Sequence, residues 1–138
     1  MWDSRKQGAS VTTKQRGDAA EDAALAHLQR HGLRLVPRNF RTPGRGGGEV
    51  DLIMREPDGT LVFVEVRQGA SASRGGAGAS INAVKQRRIV FAARHFLLRL
   101  GSEPPCRVDV LLLQGAQDPA QTAGIEWLRA AFDASGTF

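Results

Sequence analysis

Cysteine is almost absent from this chain, and its few histidines are scattered. The single Cys106 excludes a disulfide framework and a cysteine zinc cluster, and a lone thiol is typical of a reducing compartment. No segment approaches the ~20 apolar residues that cross a bilayer, and residues 1–11 lack the apolar core of a signal peptide. We therefore expect a cytoplasmic protein with no membrane contact.

The chain has the length of a single globular domain. Its 138 residues can bury a hydrophobic core without disulfides or a structural metal. We expect residues 1–13 to form a disordered basic tail and residues 14–138 to form one domain.

The net charge of +5 is unevenly distributed. Residues 1–48 carry +5 and residues 67–107 carry +7, whereas residues 49–66 between them carry −4. Basic segments attract polyanions such as nucleic acid. The acidic segment opposes phosphate binding unless a cation bridges it to the phosphate. Composition alone therefore leaves open a nucleic-acid site or a solvated surface of uneven charge.

Hydrophobic periodicity predicts an α/β protein with the order α-β-β-β-α-β-β. Apolar spacing of three and four residues marks two helices, and the second begins at a Ser80 cap and carries an apolar stripe. The nearly continuous apolar run at 108–113 indicates a strand buried on both faces. The predicted helices are 13–30 and 80–100, with a short C-terminal one through Phe132; the strands are 33–36, 50–54, 61–67, 108–113 and 125–128; the stripe is Ile81, Val84, Ile89, Ala92, Ala93, Phe96, Leu97 and Leu100.

A tight turn at Glu56-Pro57-Asp58-Gly59 joins the second and third strands. Proline favours the second position of a type I turn, and glycine suits the left-handed position that follows it. In this loop Glu56 faces Thr60. Counting back along both strands places Asp51 opposite Glu65.

Two carboxylates that face each other across a hairpin lie ~5 Å apart at Cβ and repel. A divalent cation between them reverses the sign of that interaction, and hard oxygen ligands suit Mg²⁺ or Mn²⁺. Such an ion can activate water and stabilise charge on a phosphate. The alternative is a salt-bridged sheet face in which Arg67 or Arg55 neutralises Asp51 and Glu65, and the pattern alone does not decide between the two.

Several short motifs follow one another from about Lys14 to Phe132, and together they resemble the YraN-like family of small bacterial proteins. That family resembles the restriction-endonuclease-like, PD-(D/E)xK, superfamily, whose closest relatives include Holliday-junction resolvases. The motifs are Gly17-Asp18-Ala19-Ala20-Glu21, Arg38-Asn39-Phe40-Arg41, Gly48-Glu49-Val50-Asp51-Leu52-Ile53, Phe63-Val64-Glu65-Val66-Arg67, Lys85, Arg107-Val108-Asp109-Val110 and Ile125-Glu126-Trp127-Leu128-Arg129-Ala130-Ala131-Phe132.

The resemblance implies a mixed central sheet flanked by helices and a nuclease site. It maps the motif aspartate onto Asp51, the motif glutamate onto Glu65 and the motif lysine onto Arg67. Arginine can supply charge but stays protonated, so it is a poor base. The family usually has a further basic residue two positions later, where this chain has Gly69.

The resemblance also brings in residues outside the hairpin. Glu21 matches an acidic residue near the superfamily's metal, although Asp18 to Glu21 also reads as a helix capping box. Glu49 adjoins Asp51, where it can orient the loop or pair with arginine. Asp109 needs a partner within an apolar strand, and Arg107 on the same face predicts an ion pair. The candidates for contact with nucleic-acid phosphates are Lys85, Arg41, Arg45 and Arg74.

Three hypotheses follow. The first is an Mg²⁺- or Mn²⁺-dependent endonuclease that acts on DNA, branched or otherwise structured, with Asp51, Glu65 and Glu21 at the metal and Arg67 polarising the phosphate. The second is a nuclease-like nucleic-acid-binding protein without turnover. The third is an adaptor whose basic surface docks an acidic protein. Superfamily resolvases are dimers, which leaves a homodimer open.

Overall fold

A computed structural model describes residues 13–68, 81–114 and 124–132, with the side chains of the first helix described from Asp18 onward. The elements are α1 (Thr13–Arg30), β1 (Arg34–Arg41), β2 (Glu49–Arg55), β3 (Leu61–Gln68), α2 (Ala83–Leu100), β4 (Cys106–Leu113) and β5 (Ile125–Leu128). One mixed sheet with the strand order β1-β2-β3-β4-β5 carries one helix on each face; β3 and β4 are parallel and the other neighbours are antiparallel. The predicted α/β class, element order and restriction-endonuclease-like architecture are confirmed.

The sheet separates two hydrophobic layers. Because side chains alternate along a strand, Leu61 and Phe63 of β3 pack under α2, whereas Val62 and Val64 pack under α1. The β4 side chains from Val108 to Leu113 are all buried, which confirms a strand covered on both faces. The hydrophobic core therefore fills both faces of the sheet beneath the two helices.

The β2–β3 hairpin has the predicted turn and register. Glu56 N donates to Thr60 O at 2.9 Å, and Gly59 adopts a φ of +97°, as the left-handed turn position requires. Ladder pairing runs from Arg55 with Leu61 to Leu52 with Val64. Extending that register by one residue places Asp51 opposite Glu65.

Helix α2 starts later than predicted. Its N-cap is Asn82, whose side chain accepts a hydrogen bond from Lys85 N at 2.8 Å, so the prediction of a Ser80 cap was wrong; Ser80 itself lies outside the described residues. Ile81 is buried ahead of the helix. Val84 and Leu100 were wrongly included in the apolar stripe, since they are 55% and 38% exposed.

Two other boundaries differ from the sequence expectations. β1 spans Arg34–Arg41, twice the predicted length, because it pairs with β2 along most of its length through an irregular register. The C-terminal helix through Phe132 was wrongly predicted: the chain turns at Ala130, which has a φ of 50°, and Ala131 N donates to Val108 O. Residues 1–12 lie outside the described part of the chain. Among the described residues, no helix is long and apolar enough to cross a membrane.

Gly48 brings α2 against the start of β2. A Cβ at this position would lie 2.4 Å from Ala92 N and 2.4 Å from Arg88 O, so only glycine permits the observed approach. The Gly48 N–H donates to the buried Thr42 hydroxyl at 2.7 Å. The first half of α2 is thereby placed beside the strand ends that carry Asp51 and Glu65.

Candidate active site

A cleft of about 270 Å³ opens between the two helices, where β2 begins and β3 ends. Asp51 and Glu65 both line it, and their side chains are within hydrogen-bonding contact of each other. The structure thus brings the two predicted carboxylates together, and they face an open cleft rather than sealed hydrocarbon. The remaining lining residues are Ala20, Glu21, Val66, Arg67, Gln68 and Lys85.

A backbone hydrogen bond fixes Asp51. Its Oδ2 accepts a hydrogen bond from Val66 N at 2.8 Å. This side-chain contact links β2 to β3 just beyond Leu52 and Val64, the last residues paired in the ladder. Glu65 is held more deeply, with only 3% of its side chain exposed. Both carboxylates therefore project from paired strands, which hold them close together.

The two carboxylates are poorly neutralised. Burial and the negative charge of Asp51 raise the pKa of Glu65 to about 8, against the opposing pull of Lys85. Burial also raises the pKa of Asp51, although the Val66 N–H and Lys85 act the other way. At neutral pH the pair therefore holds a proton that a bound cation could replace.

Among the described residues, Lys85 supplies the nearest positive charge to Glu65. Its Nζ lies 3.3 Å from Glu65 Oε2, whereas Arg67 Nη1 lies 4.0 Å away from the same oxygen. Arg55 donates instead to Gly59 O, so the alternative in which Arg55 neutralises the pair is wrong. The sequence indicated Lys85 as a phosphate contact but gave no sign that α2 would carry it to the carboxylate pair.

Glu21 reaches the same cleft from α1, but it has another partner. Its Oε1 accepts from Arg38 Nε at 3.2 Å. Burial and the charge of Asp51 raise the pKa of Glu21, and Arg38 opposes that shift. The capping-box alternative is wrong because α1 begins at Thr13, so Asp18 lies within the helix. The contribution of Arg38 was missed, since the sequence does not show that β1 passes beside α1.

Three basic side chains lie within 3.8 Å of Glu49, beside the cleft. Arg41 Nε lies 3.7 Å from Glu49, and Lys85 Nζ and Arg88 Nη1 each lie 3.8 Å away. This confirms the expected pairing of Glu49 with arginine. Arg88 was missed, although its place three residues after Lys85 on a helix would have indicated the shared face.

The cleft lining does not include Arg45, another predicted phosphate contact, which is exposed in the loop between β1 and β2. The remaining predicted contact, Arg74, lies outside the described residues. In the described part of the chain, no three acidic, histidine or cysteine side chains form a ready-made metal cluster. A cation at Asp51 and Glu65 would therefore need water or phosphate for the rest of its shell, which is usual for Mg²⁺.

A family model described as uncharacterised protein family UPF0102 matches residues 20–113. This chain belongs to that family. A UPF0102 protein of Polaromonas naphthalenivorans is 61% identical, over 98% of this chain and 100% of the relative. Another, from Albidiferax ferrireducens, is 65% identical over 89% of this chain and 91% of the relative. The resemblance to the YraN-like family is thereby confirmed.

The UPF0102 match contains every lining residue of the cleft, but it stops before β5. That last strand completes a separate network around Asp109, which is fully buried and accepts from Arg107 Nε at 3.0 Å, Trp127 Nε1 at 2.9 Å and Ala130 N at 2.9 Å. The predicted ion pair between Arg107 and Asp109 is confirmed. Its additional donors show that Asp109 joins β4 to the end of the chain and takes no part in the cleft.

Proposed function

We propose that this UPF0102 protein is a metal-dependent endonuclease that hydrolyses phosphodiesters in DNA, with branched or otherwise structured DNA as the substrate class. The observation that carries the proposal is the hydrogen-bonded carboxylate pair formed by the half-buried Asp51 and the buried Glu65, in an open cleft whose other charged side chains are mainly basic. The resemblance to the restriction-endonuclease-like superfamily supports DNA as the polymer.

The donor set fits a hard divalent cation. Asp51 and Glu65 offer carboxylate oxygens, and burial raises the pKa of both groups, so a bound cation could take the place of the proton that the pair holds. These two side chains would hold Mg²⁺ or Mn²⁺, and Glu21 stands next to them on α1. When bound, the ion supplies Lewis acidity toward a phosphate oxygen and toward water.

The chain's own cations supply the remaining electrostatics. Arg67 and Lys85 both line the cleft, so each can offer positive charge to a phosphate group that enters it. Arg41 and Arg88 lie outside it around Glu49, exposed enough to contact neighbouring phosphates of the same strand. We propose Arg45, on the adjacent loop, and Arg74 as further backbone contacts.

The second candidate is a nucleic-acid-binding protein that has kept the scaffold without turnover. The observation that favours it is the identity of the residues at the motif positions, because Arg67 replaces the lysine and Gly69 replaces the following basic residue. Guanidinium groups bind phosphate well but do not act as bases. Under this candidate Asp51 and Glu65 are retained for the shape and charge of the binding surface.

A cleavage assay separates the two candidates. Linear, nicked and four-way DNA are incubated with the full chain in Mn²⁺ or Mg²⁺, beside Asp51→Asn, Glu65→Gln and the exposed-site control Glu126→Gln. We expect nicking that both cleft variants remove and the control retains. Absence of product on all three substrates with either ion would contradict the endonuclease.

A binding measurement completes the comparison. Strongly salt-dependent DNA binding without product in either ion would support the second candidate. Direct metal binding provides a readout independent of turnover. Mn²⁺ added at pH 8 should raise the melting temperature of the native chain, and this rise should be lost in the Asp51→Asn variant.

A further inference from the structure

We propose that Lys85 of α2, and not Arg67 of β3, is the catalytic cation that contacts the reacting phosphate. The inference rests on the proposed phosphodiesterase function and adds to it the residue that performs the charge stabilisation. It moves this role from the strand position that the motif indicates to the first turn of a helix on the other side of the cleft.

The distances favour Lys85. Its Nζ is 3.3 Å from Glu65 Oε2, within hydrogen-bonding range, and 3.8 Å from Glu49 Oε1. Arg67 approaches Glu65 only to 4.0 Å, and 39% of its side chain is exposed, compared with 28% for Lys85. Lys85 thus lies closer to the carboxylate pair than Arg67 does, and it is less exposed to bulk water. Because water weakens electrostatic contacts, the contact of Lys85 is the stronger of the two.

The backbone that carries Lys85 is fixed at several points. The Asn82 cap accepts the Lys85 N–H, and Gln86 Nε2 donates to Ile81 O at 3.0 Å, so the first turn of α2 is internally closed. The close contact of Gly48 with the helix backbone sets the distance between α2 and β2. Groups that stabilise a transition state need such pre-organisation, because they must not reorient during the reaction.

The ammonium group has a donor to spare for substrate. It carries three N–H donors and no acceptor, and Glu65 takes one of them at hydrogen-bonding distance. A phosphate oxygen entering the cleft can take another. In hydrolysis the water oxygen bonds to phosphorus, the ester P–O bond breaks, and a water proton ends on the departing oxygen. Lys85 takes no part in this proton transfer, and its ammonium group offsets the charge that develops on the non-bridging oxygen.

Arg67 then has a different role. Its exposed guanidinium at the end of β3 is placed to bind the phosphate backbone beside the cleaved bond. Loss of a transition-state contact lowers kcat, whereas loss of a ground-state contact raises KM. The two residues are therefore distinguishable by kinetics on the same substrate.

The test compares Lys85→Met, which keeps the aliphatic stem, with Arg67→Met and with the control Arg99→Met, which removes an exposed cation at the far end of α2. We expect Lys85→Met to lower kcat by about 100-fold or more, with KM within about threefold. Arg67→Met should mainly raise KM, and Arg99→Met should leave kcat within about twofold. A double variant, Lys85→Met with Arg67→Lys, should have a kcat at least tenfold higher than that of Lys85→Met alone.

DNA binding provides a measurement that does not depend on turnover. In an Asp51→Asn background, DNA affinity measured by fluorescence anisotropy should fall more for Arg67→Met than for Lys85→Met. If native protein cleaves and Lys85→Met keeps its kcat, the inference is overturned while the proposed function stands. If native protein cleaves nothing, both are overturned. Melting temperatures of all variants confirm that the changes in rate do not reflect unfolding.

Discussion

The Asp51 carboxylate accepts a hydrogen bond from the Val66 backbone N–H at 2.8 Å, and thereby replaces the ladder contact that the next residue pair would have made. This places the Asp51 carboxylate between two interior strands, at the open end of the β2–β3 hairpin and beside Glu65. A carboxylate that completes a β-ladder gains a donor but stays close to its neighbour. The same contact therefore stabilises the open end of the β2–β3 hairpin and keeps Asp51 close to Glu65. A bound cation would offset the repulsion between these two carboxylates.

The first prediction concerns the pH dependence of stability. The pKa of Glu65 is raised from 4.5 to about 8 on folding, so the folded chain binds more protons than the unfolded chain between these values. Stability is therefore highest below pH 4.5 for this group and is lost as pH rises through 8. Urea unfolding in a chelating buffer should show a decrease of up to about 4 kcal/mol from this group between pH 5 and 8.5.

The Glu65→Gln variant isolates this effect, because glutamine has no carboxyl group to titrate. Its stability should decline less over the same pH range, and it should exceed that of the native chain at pH 8.5. The exposed Glu126→Gln variant should retain the native slope. Parallel pH profiles for native protein and Glu65→Gln would show that Glu65 is ionised normally in the folded state.

The hairpin register was predictable, and the approach of the helices was not. The turn residues Pro57 and Gly59 fix the loop, so simple counting placed Asp51 opposite Glu65. The contact of Lys85 with Glu65 depends on how closely α2 packs on β2, which Gly48 permits but local sequence does not reveal.

Nonlocal partners account for the other differences. The pairing of Glu21 with Arg38 requires β1 to extend past α1, and pairing with β2 determines that length. Val84 has apolar spacing typical of a core position, yet it is exposed because the sheet covers only the stripe around Ile89. Periodicity identifies a helix, but the width of its buried face is set by what packs against it.

The second prediction concerns the salt dependence of nucleic-acid binding. Arg41 and Arg88 flank the cleft and lie near Glu49, and each side chain is largely or partly exposed. A phosphate contact that is removed lowers the slope of log affinity against log salt by about 0.9 on duplex DNA. We expect Arg88→Gln and Arg41→Gln each to reduce the slope by about one, measured by fluorescence anisotropy in the Asp51→Asn background.

The charge-preserving Arg88→Lys variant serves as the matched control, and its slope should stay within experimental error of the parent. The exposed Arg99, at the far end of α2, offers a second control because it lies away from the cleft. An Arg99→Gln variant with the same effect as Arg88→Gln would indicate diffuse charge attraction in place of a defined backbone track.

The third prediction concerns the network around Asp109. Its carboxylate is fully buried and accepts from Arg107, Trp127 and the backbone of Ala130. Removing one partner of a buried ion pair leaves unpaired donors and costs about 3–5 kcal/mol. Asp109→Ala should lower the free energy of unfolding by about that amount, measured by urea titration, whereas the exposed Glu126→Ala should change it by less than about 0.5 kcal/mol.

Asp109→Asn tests the charge separately from the shape. The amide keeps one acceptor oxygen but loses the ion pair with Arg107, so we expect a smaller loss than for alanine. Both variants should retain Mn²⁺ binding at low temperature, because Asp109 lies outside the cleft residues. An Asp109→Ala variant as stable as the native chain would show that the network contributes nothing to folding.

The last prediction concerns the contact of Gly48 with α2. A methyl group there would meet Ala92 N and Arg88 O at 2.4 Å, and neither backbone atom can move without shifting the helix. Gly48→Ala should therefore destabilise the chain by about 2 kcal/mol or more, as overpacking does, and should displace Lys85 from Glu65. Gly101→Ala is the matched control, because Gly101 has a φ of +75° with nothing within 4 Å, so alanine there should cost only about 1 kcal/mol. If Gly48→Ala lowers stability and kcat while Gly101→Ala lowers stability alone, the position of α2 is coupled to the cleft; equal kcat values in the two variants would contradict that coupling.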